Sequence, residues 1–179
     1  MTLSFSTKWD KRMGELAGQP NYFVEQIWQS FPDEIPQNCF EDYLEGLEKV
    51  GYEFLEDAAD INSKLHTIRH DLHNRWKAGM KIHFVINNRT KKRFQFAPVV
   101  KCVDEQRIFI VPNLKKVKKA VPRYEKGKLV AYQVGEEIDC ETLSINDGFP
   151  DIDSFFRYFD EHNGAWTMPK IIHWTDLKY

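Results

Sequence analysis

The sequence predicts one α+β domain in which a small mixed β-barrel carries flanking helices and a single inserted acidic helix. Three observations predict it. The strand-like segments are short, closely spaced and more numerous than the helical ones, which favours a compact barrel over a doubly wound sheet. The chain has 179 residues, enough for one domain with a sizeable core and crowded for two. Its 42% hydrophobic and 29% charged residues are an ordinary globular balance. Residues 1–179 are therefore read as one domain.

The elements follow from local pattern. Leu3-Ser4-Phe5-Ser6-Thr7 alternates apolar and polar as a half-buried strand does. Tyr22 to Trp28 reads as a short helix with Asn21 as N-cap. Pro32 and Pro36 bracket a break, after which Phe40, Tyr43, Leu44, Leu47 and Val50 recur at helical spacing up to a stop at Gly51. Beyond about Asn62 strands predominate: Lys81 to Ile86, Phe94 to Val103, Arg107 to Val111, Leu129 to Val134 and Ile138 to Ile145. Asp104-Glu105 is read as a hairpin turn, and residues 113–128 as a basic loop or extended hairpin. Asp151 caps a helix with Ile152, Phe155, Phe156 and Phe159 on its apolar face, ending near Gly164, and Lys170 to Trp174 closes the series as a strand.

Charge is distributed unevenly. The net charge is −2, but Asp33 to Asp60 holds ten acidic residues and one basic, while Ile61 to Lys128 holds eighteen basic and four acidic. The central segment is thus +14, and the segment before it −9. Such asymmetry points to a polyanionic partner, unless the two segments neutralise each other across one surface.

Several classes are disfavoured. Three cysteines (Cys39, Cys102, Cys140), with no CxxC pair, speak against a disulfide framework and a structural zinc site. The opening stretch lacks the apolar run of a signal peptide, and no apolar stretch approaches the ~20 residues that span a bilayer. The reading is a cytoplasmic protein with no membrane partner. Phosphate-loop, dinucleotide, GxSxG and HExxH signatures are missing, and no cofactor is implied. His70 and His73 have a spacing that would suit a metal on a helix, but no second pair completes a set, and a loop position is favoured. No metal site is assigned.

The densest chemistry lies in Lys64-Leu65-His66-Thr67-Ile68-Arg69 and Asn74-Arg75-Trp76-Lys77-Ala78-Gly79-Met80-Lys81-Ile82. Cations interleaved with an aromatic suit phosphate contact and base stacking, so Lys64, Thr67, Arg69, Arg75, Trp76 and Lys77 are the candidate ligand-binding residues. Trp76 and Trp174 read equally well as core. On a strand, Lys64 and Thr67 would point to opposite faces, and a site using both needs a kink.

The strings K-x-x-T-I-R and W-K-A-G-x-K-I resemble the signature of the ASCH domain family, of the PUA-like superfamily. Asn146-Asp147-Gly148-Phe149-Pro150-Asp151 resembles that family's acidic-Gly-Phe element, and Lys170 to Trp174 its last strand. Where the family has a short link, this chain carries an acidic insertion at about 32–60. The resemblance implies a PUA/ASCH-like barrel and binding of RNA, a nucleotide or a modified nucleoside. It also implies a second activity, an amidohydrolase acting on an acylated nucleoside such as acetylcytidine. For that activity the lysine falls on Lys64, the threonine on Thr67 and the family's glutamate near Asp147, one methylene shorter. A third reading makes the acidic insertion a protein-interaction or regulatory element lying over the basic cleft.

Overall fold

The computed structural model describes residues 1–31, 37–55, 61–160 and 167–179. In chain order its elements are β1 (Thr2–Ser4), α1 (Phe23–Gln29), α2 (Gln37–Lys49), β2 (His66–Arg69), β3 (Lys81–Ile86), β4 (Phe94–Gln95), β5 (Val100–Lys101), β6 (Asp104–Val111), β7 (Lys116–Glu125), β8 (Lys128–Ile138), α3 (Cys140–Asn146), α4 (Ile152–Phe159) and β9 (Lys170–His173). The fold is α+β, as expected, but the described strands form two sheets and no closed barrel.

In the first sheet β1 runs parallel to β3, which pairs antiparallel with β4 and β5. The second has the order β2-β9-β6-β7-β8, all antiparallel. Two apolar cores result. One gathers Leu3, Phe5, Phe84 and Phe96 under α1 and α2. The other packs Ile68, Ile108, Ile110 and Ile171 against Leu143, Phe149 and Phe155 of the α3–α4 region. Successive residues of β9 face different cores: Ile171 belongs to the second, with Ile68 of β2, and Ile172 to the first.

Three local readings change. Residues 138–145 are largely helical, because the Asp139 carboxylate accepts the Glu141 N–H at 3.2 Å and so caps α3. The β-branched Thr142 and Ile145 imitate a strand there, but Leu143 is buried and Ile145 exposed. Asp104 and Glu105 are not a turn. They lie inside β6 opposite His173 and Ile172, with Lys178 and Lys170 pairing their carboxylates at 3.2 and 2.9 Å. The basic segment 113–128 takes the extended-hairpin alternative: it is largely β7, the first arm of a hairpin with β8. Residues 94–103 also divide into β4 and β5 rather than forming one strand, with Pro98, which lacks a ladder donor, between them. Gly164 lies outside the described residues.

The acidic helix α2 packs its apolar face on α1 and β4. Phe40 and Tyr43 meet Trp28, and Tyr43 meets Phe94. At Gly46 a side chain would collide with the Phe94 ring, its Cβ falling far inside van der Waals distance of Cζ, so glycine permits this close approach. Past the helix, the buried Glu25 carboxylate on α1 accepts from the Tyr52 hydroxyl at 2.8 and 3.0 Å and from the Leu55 N–H at 3.1 Å.

Candidate functional site

Lys64 is placed before it is paired. Its N–H donates to Gln26 O of α1 at 3.0 Å, and the next N–H, of Leu65, donates to Asn146 O at 2.8 Å. These bonds hold the segment between α1 and the end of α3. Asp147 ends α3, and Gly148 follows at φ +83°, where an added Cβ would run into Gln26 Oε1. Lys64 Nζ donates to Asp147 Oδ1 at 2.7 Å and also to the Asp147 carbonyl. The Ile68 N–H donates to the same carboxylate at 3.3 Å, and the ammonium sits 4.6 Å from the Phe23 ring centroid.

Both members of the pair are sealed, at 2% and 3% exposure. Burial lowers the Lys64 pKa to about 8 against the opposing pull of Asp147, with Arg69 lowering it further. Burial raises the Asp147 carboxyl, opposed by Lys64 and then Arg69. Lys64 and Asp147 thus come together as the motif implied, but in the interior. Thr67 is buried opposite Ile172, and no hydrogen bond joins it to Lys64 or Asp147 among the described residues.

The other candidate residues separate. Arg69 lies over the Phe5 ring at 4.9 Å and donates to Ser4 O at 3.0 Å. Trp76 is 5% exposed and packs in the first core, so it presents no stacking face to a base. Arg75 and Lys77 are exposed, and Lys77 Nζ is 3.7 Å from Glu105 Oε1. His70 and His73 lie on the loop after β2, and no three His, Cys, Asp or Glu side chains among the described residues are placed to hold a metal.

Lys170 is the organising residue that sequence reasoning missed. It stands between Arg69 and Arg107 in cross-strand register, forming a row of three cations over β2, β9 and β6. It is fully buried, 2.9 Å from Glu105 Oε2 and 3.4 Å from Asp71 Oδ2, and it donates to Trp76 O at 3.0 Å. Asp71 also accepts the N–H groups of Arg75 and Trp76, at 2.9 Å each. One buried ammonium therefore docks the whole loop from Asp71 to Trp76 onto the sheet. The only sequence signal was a lysine opening an otherwise apolar strand.

A groove lies between this loop and the β7–β8 hairpin. One part encloses about 470 Å³ and continues into another of about 400 Å³, the two sharing Asn74, Arg107, Leu129 and Tyr132. The Arg107 guanidinium lies over the Tyr132 ring at 5.3 Å, and its Nη2 donates to Asn74 Oδ1 at 3.1 Å. Arg107 Nε and Thr167 Oγ1, both buried, have no hydrogen-bond partner among the described residues. Lys77 and Lys119 border the second part.

Much of the central positive charge is met locally. Lys116 and Lys118 reach Glu137 at 2.9 and 4.0 Å, Lys119 reaches Glu136 at 3.0 Å, Lys115 reaches Asp153 at 2.5 Å and Arg123 reaches Glu125 at 2.7 Å. The described part of α2 packs on Trp28 and Phe94, and no hydrogen bond or ion pair joins it to Lys64 or Arg69 among the described residues. Residues 32–36 and 56–60 of the insertion lie outside the described residues. No helix among the described residues is long and apolar enough to cross a membrane. In comparison with known proteins, no family model matches the chain, and neither a curated protein nor a solved structure matches it significantly.

Proposed function

We propose that the chain is a PUA/ASCH-like binding module that holds RNA or a nucleotide in the groove between the loop at Asp71–Lys77 and the β7–β8 hairpin. The observation that carries this reading is Arg107: a guanidinium over the Tyr132 ring, fixed by Asn74, lining both parts of the groove. A planar donor fork beside a ring and bordering lysines suits a phosphate together with a base. In this reading Lys77 borders the groove and Arg75 lies exposed on the same loop, whereas Lys64, Thr67 and Arg69 are not among the groove's lining residues and Trp76 is packed in the first core. The test is a titration of labelled single-stranded RNA and of mononucleotides at two salt concentrations. Binding should weaken steeply with salt, and Arg107→Ala should weaken it by roughly tenfold or more. Absence of binding by either ligand, or an Arg107→Ala variant with unchanged affinity, refutes the reading.

A second reading is favoured by one observation, the direct contact of Lys64 with Asp147. An amidohydrolase needs a base, and a lysine near pKa 8 is deprotonated in useful measure at mildly alkaline pH. In this reading a conformational step first opens the sealed pair. Neutral Lys64 takes the proton of the Thr67 hydroxyl, or of a water that Thr67 positions, as that oxygen attacks the amide carbon, and returns the proton to the departing amine as the C–N bond breaks. Water then releases any acyl group left on Thr67, and Asp147 orients the substrate amide. Incubation with acetylcytidine tests it: turnover abolished in Lys64→Ala supports it, and no turnover from folded protein rejects it.

A further inference from the structure

His66 on β2 and His173 on β9 stand opposite each other, with ring centroids 5.5 Å apart. Both are fully buried, yet His66 Nε2 and both ring nitrogens of His173 have no hydrogen-bond partner among the described residues. Buried polar atoms are almost always paired, so three together call for an explanation.

The chain's own segment 175–179 covers them. The Tyr179 ring stands edge-on to His66 at 5.3 Å between centroids and lies 6.2 Å from His173. Asn146 Nδ2 donates to the Tyr179 hydroxyl at 3.0 Å, and that hydroxyl lies 3.4 Å from His66 Nδ1. Gln106 holds the main chain of the same residue: its Nε2 donates to Tyr179 O at 2.9 Å, and its Oε1 accepts the Tyr179 N–H at 3.2 Å. Ring, hydroxyl and amide are thus each met by a separate side chain, as a ligand is met by its pocket.

The attachment is made by side chains. Thr175 Oγ1 donates to Leu65 O at 3.1 Å, and Lys178 Nζ is 3.2 Å from Asp104 Oδ2. No backbone-to-backbone hydrogen bond ties residues 175–179 to a strand among the described residues. Release would let water or a ligand reach three imidazole nitrogens that are unpaired when the segment is closed. Hydrogen bonds formed there offset part of the cost of undocking the segment.

We propose that His66, His173, Asn146 and Gln106 line a binding pocket that the chain closes with its own Tyr179. The ligand class it takes is a tyrosine-like phenol with its flanking amide. The segment 175–179 is then a displaceable strap, and an external ligand competes with it at high effective concentration.

The test titrates Tyr179→Ala with N-acetyltyrosinamide, following thermal denaturation and the histidine ring nitrogens by ¹⁵N NMR. A saturable rise in Tm with shifts at His66 and His173 is expected, and the unsubstituted protein should need about tenfold more probe. No saturable binding to folded Tyr179→Ala overturns the proposal, as does equal binding of N-acetylalaninamide. Should Tyr179→Ala fail to fold, Tyr179→Phe keeps the ring and removes the hydroxyl. Its residue-179 amide should then exchange with solvent roughly five- to tenfold faster while the β9 amides keep their rates. Unchanged exchange at residue 179 overturns the proposal equally.

Discussion

Lys64 and Asp147, 83 residues apart in the chain, meet in a buried ion pair 2.7 Å long that also receives the Ile68 N–H. Desolvation opposes the charge on both members, so each depends on the other.

That dependence is measurable in a double-mutant cycle. Lys64→Ala alone strands a buried carboxylate and should cost about 3–5 kcal/mol in urea unfolding, and Asp147→Ala a similar amount. The paired change Lys64→Met with Asp147→Leu should lose much less than the sum of the single changes. Additive losses would show that the two residues are not energetically coupled.

Gly148 is a second sensitive point in the same corner. At φ +83°, with Gln26 Oε1 in the space a Cβ would need, Gly148→Ala combines backbone strain with a clash. A loss of about 2 kcal/mol or more is expected, in contrast to Gly127→Ala, where nothing lies within 4 Å and only the backbone term at φ +76° applies. Thermal melts of the two variants make the comparison, and equal losses would show that the Gln26 contact carries no weight.

Lys170 links stability to the groove. Lys170→Met leaves Asp71 and Glu105 without their shared ammonium and frees the Trp76 carbonyl, so unfolding free energy should fall by about 3–5 kcal/mol. The loop carrying Asn74 should loosen with it, and amides of residues 74–77 should exchange faster than those of β3. If only global stability fell, Lys170 would not be what docks the loop.

The histidine pair sets an acid limit. Burial lowers the His66 pKa well below its ordinary value and brings His173 down to about 4, with Asp104 opposing the shift at His173. The unfolded chain therefore binds more protons than the folded one between about pH 6.5 and 4, and stability is full above this window and lost as pH falls through it. His173 alone should contribute about 2–3 kcal/mol over that range. Denaturant titrations at pH 7 and pH 4.5 for the unsubstituted protein and His173→Phe measure the difference, and a variant with the same pH slope would remove His173 as its source.

The features legible in the sequence are those that depend on near neighbours. The strand Lys81–Ile86 is legible because its apolar run is bounded by turn residues. The helix after Asp151 is legible because its cap and its phenylalanine spacing agree, the carboxylate accepting the Ser154 N–H at 2.6 Å. The Lys64–Asp147 partnership was legible only through resemblance, since nothing local joins residues 83 positions apart. The remaining features depend on contacts between distant segments. Asp104-Glu105 has turn-like composition, yet it is held in β6 by lysines arriving from β9 and residue 178. Trp76 reads equally as a stacking platform and as core until its burial is known, and Arg107 reads as one cation among eighteen basic residues until Asn74 and Tyr132 close around it. In each case the deciding free energy is desolvation or a long-range contact, which depends on what the rest of the chain places nearby.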